Sequence, residues 1–312
     1  MPGFSTHHFF GINAYHKISN NSIRKIIRKH HNAYSLGQQG PDLFFYFLLT
    51  STPLYPNIAD KMHKQKVNHF FKQMIINASS LFSSQEFDIA IAYIMGYAGH
   101  YSLDTNVHPY IYSRVGTKGD NRSLGIHFGL ESDIDRIILM KNKGIRPAEF
   151  DHTKAIRLSA LERRVIAQLL KATIKEVYGI TISTKIVYLA LRCFDIVSSF
   201  LSDSKHRKHH SILFVEKKFL GYPMVTNLLM NDIEHSADPC NLKKAAWANP
   251  YLASHESNES VFELIEKGER VYLDLVDEIY KTLLEQKCTG RANMKNLLSK
   301  IGNKSFNTGI SY

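Results

Sequence analysis

The stretch Ile89-Ala-Ile-Ala-Tyr-Ile-Met-Gly-Tyr-Ala-Gly-His100-Tyr-Ser-Leu-Asp104-Thr-Asn-Val-His108-Pro109 decides how this chain is read. Its first part is apolar or small nearly all round, the pattern of a helix buried inside a protein. An ionised carboxylate in such a setting is costly unless it is paired or bound to a metal. Residues four apart on a helix lie about 40° apart around the axis, so His100 and Asp104 project from one face and can share an ion. A single pair of this kind is more often a surface pair, and it is the apolar surroundings that favour the metal. His108 lies a further four residues on, about 80° round from His100 and roughly 12 Å along the axis. One ion cannot easily take both, and Pro109 disfavours helical geometry at His108. The expectation is a helix that stops near His108 and an Asp104 that bridges two ions.

Working outward, His127-Phe-Gly-Leu-Glu131 repeats the four-residue spacing and is followed by Asp133 and Asp135. Upstream, Gly40-Pro41-Asp42 opens the run Leu43-Phe-Phe-Tyr-Phe-Leu-Leu49. Pro and Asp are both favoured at a helix start, so Asp42 alone reads as a helix-start carboxylate; the adjoining apolar run places it beside a buried surface. His63 is ambiguous alone, with His69 as its nearest competitor. His7 and His8, ahead of Phe9-Phe10-Gly11, carry no signal as a terminal pair, but one of them would close the set. Of the 16 histidines, those at 7, 8, 16, 30, 31, 63, 69, 100, 108 and 127 precede residue 132. Cys193, Cys240 and Cys288 form neither a disulfide framework nor a Cys-x-x-Cys spacing. Any metal is therefore held by nitrogen and oxygen, a donor set that suits zinc.

The 312 residues, 44% hydrophobic and 21% charged, are those of a globular protein. A net charge of +11 favours phosphate, nucleic acid or an anionic lipid surface without choosing among them. Apolar spacing is helical in most segments, so the class is all-α, with helices expected at about 20–31, 41–50, 57–82, 86–104, 124–143, 158–178, 183–202, 211–229 and 257–287. Turn-rich breaks fall at Ser51–Pro56, Gly116–Asn121 and Ser236–Pro250. Ser204–His210 reads as a solvated basic loop and the tail from Thr289 as partly flexible. Leu43–Leu49 is too short, and Ile186–Leu201 too interrupted by charge, for the ~20 apolar residues of a membrane span. Met1–His8 has neither a basic nor an apolar leader region, so the expected location is the cytoplasm.

Taken in order, Thr-His7-His-Phe-Phe-Gly, Gly-Pro-Asp42, Met-His63, Gly-His100-x-x-x-Asp104-x-x-x-His108-Pro-Tyr and His127-x-x-x-Glu131 resemble the bacterial zinc-dependent phospholipase C family. The resemblance covers roughly residues 1–150. It implies an all-α domain, shared with single-strand-specific nucleases, in which zinc ions line the bottom of a cleft. By that resemblance a first zinc falls to Asp42, His63, His100 and Asp104, a second to His108, His127 and Glu131, and a third to His7 with Asp104 bridging. In the family the third ion also uses the amino group of an N-terminal Trp that this chain lacks. Two ions are therefore expected, and a third if His7 closes a site. The four-residue step from Asp104 to His108 is six in the secreted toxins and nucleases; the shorter form resembles the intracellular branch.

The implied activity is a phospholipase C-like hydrolysis of a phosphate ester by a metal-bound hydroxide, with Asp42 as both ligand and proton acceptor. Two rivals stand beside it. A nuclease-type phosphodiesterase would stack bases on aromatics such as Tyr97, Tyr101, Tyr110 and Tyr112. The other is a non-catalytic metal-binding helical protein. One all-α domain is expected over 1–288, with the metal ligands in 1–150 and covering helices in 151–288, including the amphipathic Glu263–Asp274. Because 150–312 read as helices, the β-sandwich lipid-binding domain of the lytic toxins is not expected.

Overall fold

In the computed structural model, which describes residues 3–46, 58–117, 120–151, 155–203, 207–252, 254 and 256–312, helices carry most of the chain. They are α1 (Phe4–Lys17), α2 (Asn21–Lys29), α3 (His31–Gly37), α4 (Ile58–Lys64), α5 (Val67–Leu81), α6 (Ser84–Val115), α7 (Asn121–Lys143), α8 (Ala160–Tyr178), α9 (Thr184–Leu201), α10 (Arg207–Phe219), α11 (Val261–Thr289) and α12 (Lys295–Ile301). The only strands among the described residues, β1 (Trp247–Ala248) and β2 (Glu256–Ser257), pair antiparallel. The all-α class is the one observed.

The apolar stretch of 89–99 forms the middle of α6, and α6 is the axis on which the rest packs. The Ser83 amide donates to the Glu86 carboxylate at its start, and Gly116 at φ +83° ends it. Pro109 does not stop this helix, contrary to expectation: α6 runs on through Tyr110 and Ile111 to Val115. A mid-helix proline costs about 3 kcal/mol, whereas burying Tyr110 and Ile111, neither of them exposed, returns about 1.5–3 kcal/mol each. The Thr105 carbonyl, which loses its helical donor at Pro109, faces Gly309, where a Cβ would lie 2.5 Å from it.

α3 and α11 both pack along α6. Contact with α3 is backbone to backbone: a Cβ on Gly96 would stand 2.1 Å from the Tyr34 carbonyl. That close approach brings residues 38–42 over His100. α11 covers α6 as its amphipathic pattern predicts, and Tyr272 on α11 meets the Tyr34 hydroxyl at 3.2 Å. α8 closes the side formed by α5 and α6, and α9 packs on α8. No helix among the described residues is long and apolar enough to cross a membrane.

Other boundaries differ from the sequence pattern. The helix expected at 57–82 breaks at Lys66, whose φ of +56° separates α4 from α5. The one at 20–31 bends at His30 into α2 and α3. In place of a helix at 41–50, Gly40–Phe44 forms a 3-10 turn, while residues 47–57, including the break at Ser51–Pro56, lie outside the described residues. Of the basic loop, residues 204–206 are also outside them, and Arg207 onward is helical. The tail from Thr289 is folded: α12 buries Leu297 and Ile301, and Phe306 is fully buried. Three apolar anchors hold a segment whose Gly, Asn, Ser and Lys content reads as flexible.

Candidate metal centre

Five elements converge on one buried region. α1 delivers His7, the 3-10 turn Asp42, α4 His63, α6 the series His100, Asp104 and His108, and α7 the pair His127 and Glu131. All of them are buried. His8 does not join them: it stacks on Phe4 and packs against Phe150. His69 is exposed on α5. Asp42 reaches the region because Gly40 holds φ +51° and lies flat against His100, where a Cβ would come within 2.4 Å of the ring. Only glycine adopts that conformation cheaply and fits that gap.

Asp104 is the hub. Its Oδ2 lies 3.0 Å from His100 Nε2, 3.6 Å from His108 Nδ1 and 3.8 Å from His63 Nε2, while Oδ1 lies 3.2 Å from His7 Nε2. Asp42 Oδ1 stands 3.1 Å from His63 Nε2. Farther along α6, Glu131 Oε1 is 2.7 Å from His127 Nε2 and 3.7 Å from His108 Nε2. Donor atoms of His7, Asp42 and His100, of His63, His100 and Asp104, and of His108, His127 and Glu131 fall within 4.8 Å of one another. Ligands on one tetrahedral ion at ordinary Zn–N and Zn–O distances stand about 3.3 Å apart.

Three of the imidazoles are oriented from behind. His63 Nδ1 donates to the Ala59 carbonyl at 2.7 Å, His100 Nδ1 to Gln38 at 3.0 Å and His108 Nδ1 to Phe306 at 2.9 Å. A carbonyl can only accept, so the proton sits on Nδ1 and the Nε2 lone pair is free for an ion. The Nε2 atoms of His7, His100 and His108 and both carboxylate oxygens of Asp42 and Asp104 are buried without a hydrogen-bond partner. Each such orphan costs about 1–3 kcal/mol, more when charged. A folded protein rarely gathers so many in one place, and bound cations would satisfy them together. The donor set therefore fits zinc.

Electrostatics point the same way. Burial alone would raise the Asp104 carboxyl, yet the imidazoles of His100 and His108 hold it well below the usual range. Asp42 is lowered against burial by His100 and His63, and Glu131 by His127. Burial, with His100 adding, pushes His7 down to about 4, so its imidazole is neutral at pH 7. These groups offer lone pairs and negative charge at physiological pH, as metal ligands must.

The supporting residues were partly hidden from sequence reasoning. Asp133 and Asp135 do not face the cluster. Asp135 accepts from the Ser5 and Thr6 amides at 2.9 and 2.8 Å and from the Thr6 hydroxyl at 2.6 Å, tying the first turn of α1 to α7. Asp133 accepts from the amides of His235 and Ser236. Phe306 carries no sequence signal, because it acts largely through its main chain: besides receiving His108, its amide donates to the His63 carbonyl at 2.9 Å. Tyr97, Tyr101 and Tyr110 are core residues. Tyr112 packs on His127 at 5.2 Å and on Tyr251 at 5.6 Å. A cavity of about 60 Å³ between Phe4, Tyr46, Phe128 and Asn227 touches Glu131. A larger groove of about 710 Å³, beside Arg157, Arg163 and Arg192, touches none of the clustered residues.

The model of the family described as zinc dependent phospholipase C matches residues 6–184. The match takes in every clustered residue from His7 to Glu131 and continues through α8, beyond the 1–150 over which the motifs run. No curated protein and no solved structure matches the chain. A match over more than half of the chain, spanning a buried donor set suited to zinc, means that the chain belongs to the zinc-dependent phospholipase C family.

Proposed function

We propose that the protein is a phospholipase C-like phosphoesterase that cleaves a phosphodiester, with zinc on two sites and a third ion beside His7. The observation that carries this reading is the gathering of His, Asp and Glu donor atoms into three buried groups, in which the Nε2 atoms of His7, His100 and His108 and the carboxylate oxygens of Asp42 and Asp104 have no hydrogen-bond partner. We assign the first ion to Asp42, His63, His100 and Asp104, the second to His108, His127 and Glu131, and the third to His7 with Asp104. Bound there, zinc supplies Lewis acidity toward phosphoryl oxygen and a nucleophilic water at neutral pH.

The chain's own groups do the rest. Asp104 presents Oδ1 toward His7 and Oδ2 toward His100, so one carboxylate neutralises cations on both sides. The second oxygen of Asp42, whose Oδ1 faces His63, takes the proton released by the attacking water. α8–α11 cover the ligand-bearing helices as parts of the same unit. Cys193, Cys240 and Cys288 stand as free thiols, which suits a cytoplasmic setting. A nuclease reading has less to support it, because Tyr97, Tyr101 and Tyr110 are used up in the core.

The test is a substrate panel on protein purified without chelator: a chromogenic phosphodiester, the matching phosphomonoester, a choline phospholipid and single-stranded DNA. Hydrolysis of the phospholipid and the diester, lost in His100→Ala, is expected. Turnover of DNA alone would move the protein to the nuclease reading. Undiminished activity in His100→Ala would remove the mechanism.

A further inference from the structure

α10 is turned the opposite way from an ordinary surface helix. Its buried side chains are His209 and Glu216, and the Glu216 carboxylate accepts from the amides of Val225 and Thr226 at 2.6 and 3.1 Å. Its large apolar residues face out: Phe214 is 71% exposed, Phe219 74% and Val215 51%. The preceding helix continues the surface. On α9, Lys185, Leu189, Arg192, Ile196 and Phe200 fall within about 80° of one another around the axis, opposite the buried Val187, Phe194 and Ser198. Ile196 is 58% exposed and Phe200 49%. Lys208 Nζ stands 5.1 Å from the centroid of the Phe200 ring, which ties the start of α10 to the end of α9.

The charge on this surface has one sign. Lys185, Arg192, Arg207, Lys217 and Lys218 are all exposed. Glu216 is turned inward. Asp195 is exposed but lies about 100° round α9 from the centre of the stripe, where the Arg163 charge acts on it. Several large apolar side chains exposed on neighbouring helices, with cations among them, are the composition of an interaction site.

We propose that the outward face of α9 and α10 docks on a bilayer rich in anionic lipid. A second copy of this chain is a poor occupant, since pairing these faces would set lysines and arginines against their own kind. Phe214 and Phe219 protrude, which suits insertion among acyl chains, while basic side chains lay their stems along apolar surface and keep their heads at the phosphate level. Each such cation adds attraction that salt weakens. None of these residues belongs to the metal centre, so the inference does not rest on the catalytic reading.

The experiment is flotation of the full chain with vesicles of phosphatidylcholine containing 30 mol% phosphatidylglycerol, beside pure phosphatidylcholine, at low and high salt. Two exposed-site variants are compared, Phe214→Ser/Phe219→Ser and Lys217→Glu/Lys218→Glu. Binding to the anionic vesicles, weakened by salt and reduced about tenfold or more in each variant, is expected, with zinc content and hydrolysis of a soluble diester unchanged. Absence of flotation on anionic vesicles overturns the proposal, as does flotation that neither variant reduces. A wild-type dimer that the same substitutions dissociate, without flotation, would make this face a self-association surface instead.

Discussion

His108 Nδ1 donates to the carbonyl of Phe306 at 2.9 Å, so a residue near the end of the sequence sets the direction of an imidazole on the central helix. The amide of the same Phe306 donates to the His63 carbonyl, and its ring lies 5.2 Å from His63 and 5.6 Å from His100. One residue outside the matched 6–184 thus buttresses histidines in both assigned sites. Phe306→Ala empties a fully buried position and should cost about 3–5 kcal/mol in urea unfolding. Zinc retention during dialysis should fall in parallel, and Phe306→Leu should recover most of both. Wild-type retention in Phe306→Ala would leave the residue with a packing role only.

Gly40→Ala tests the approach of Asp42. A left-handed conformation costs a non-glycine residue about 1–2 kcal/mol, and the added methyl would meet the His100 ring at 2.4 Å. Lower thermal stability and loss of about one equivalent of zinc are expected. Full zinc content would show that the turn can move aside without disturbing the site.

Asp135→Ala removes the acceptor for the first amides of α1 and should cost about 1–2 kcal/mol, as lost helix caps do. Because α1 carries His7, the ion assigned to His7 should be held more weakly than the others. Competition with a chromogenic chelator measures this directly. Equal weakening of every ion would count against a separate third site.

The α-helical class and the clustering of the α6 residues were legible because both are periodic: a buried helix is apolar all round, and His100, Asp104 and His108 repeat at four residues. The end of α6 was misread because Pro109 is a local signal, while burial of Tyr110 and Ile111 is a tertiary one. Asp42 was found beside a helix-start pattern, but its 3-10 turn depends on Gly40 facing His100, a contact between residues far apart in sequence. Phe306 could not be found at all, since any residue type has the carbonyl that His108 uses.

Acid should destabilise the fold through His8. Burial, with Lys143 adding, pushes its pKa down from 6.5 to about 4. A depressed imidazole contributes its full stability above pH 6.5, and that contribution is lost as pH falls from 6.5 toward 4, by about 3 kcal/mol in all. His8→Phe should therefore show a shallower pH dependence of stability than wild type across that window. Parallel curves would mean that His8 takes up its proton without strain.

The most direct measurement is the zinc content of chain purified without chelator. The account predicts about two equivalents per chain or more, falling by about one in His127→Ala and by about one in His100→Ala. Less than one equivalent of zinc in the wild-type protein would contradict it.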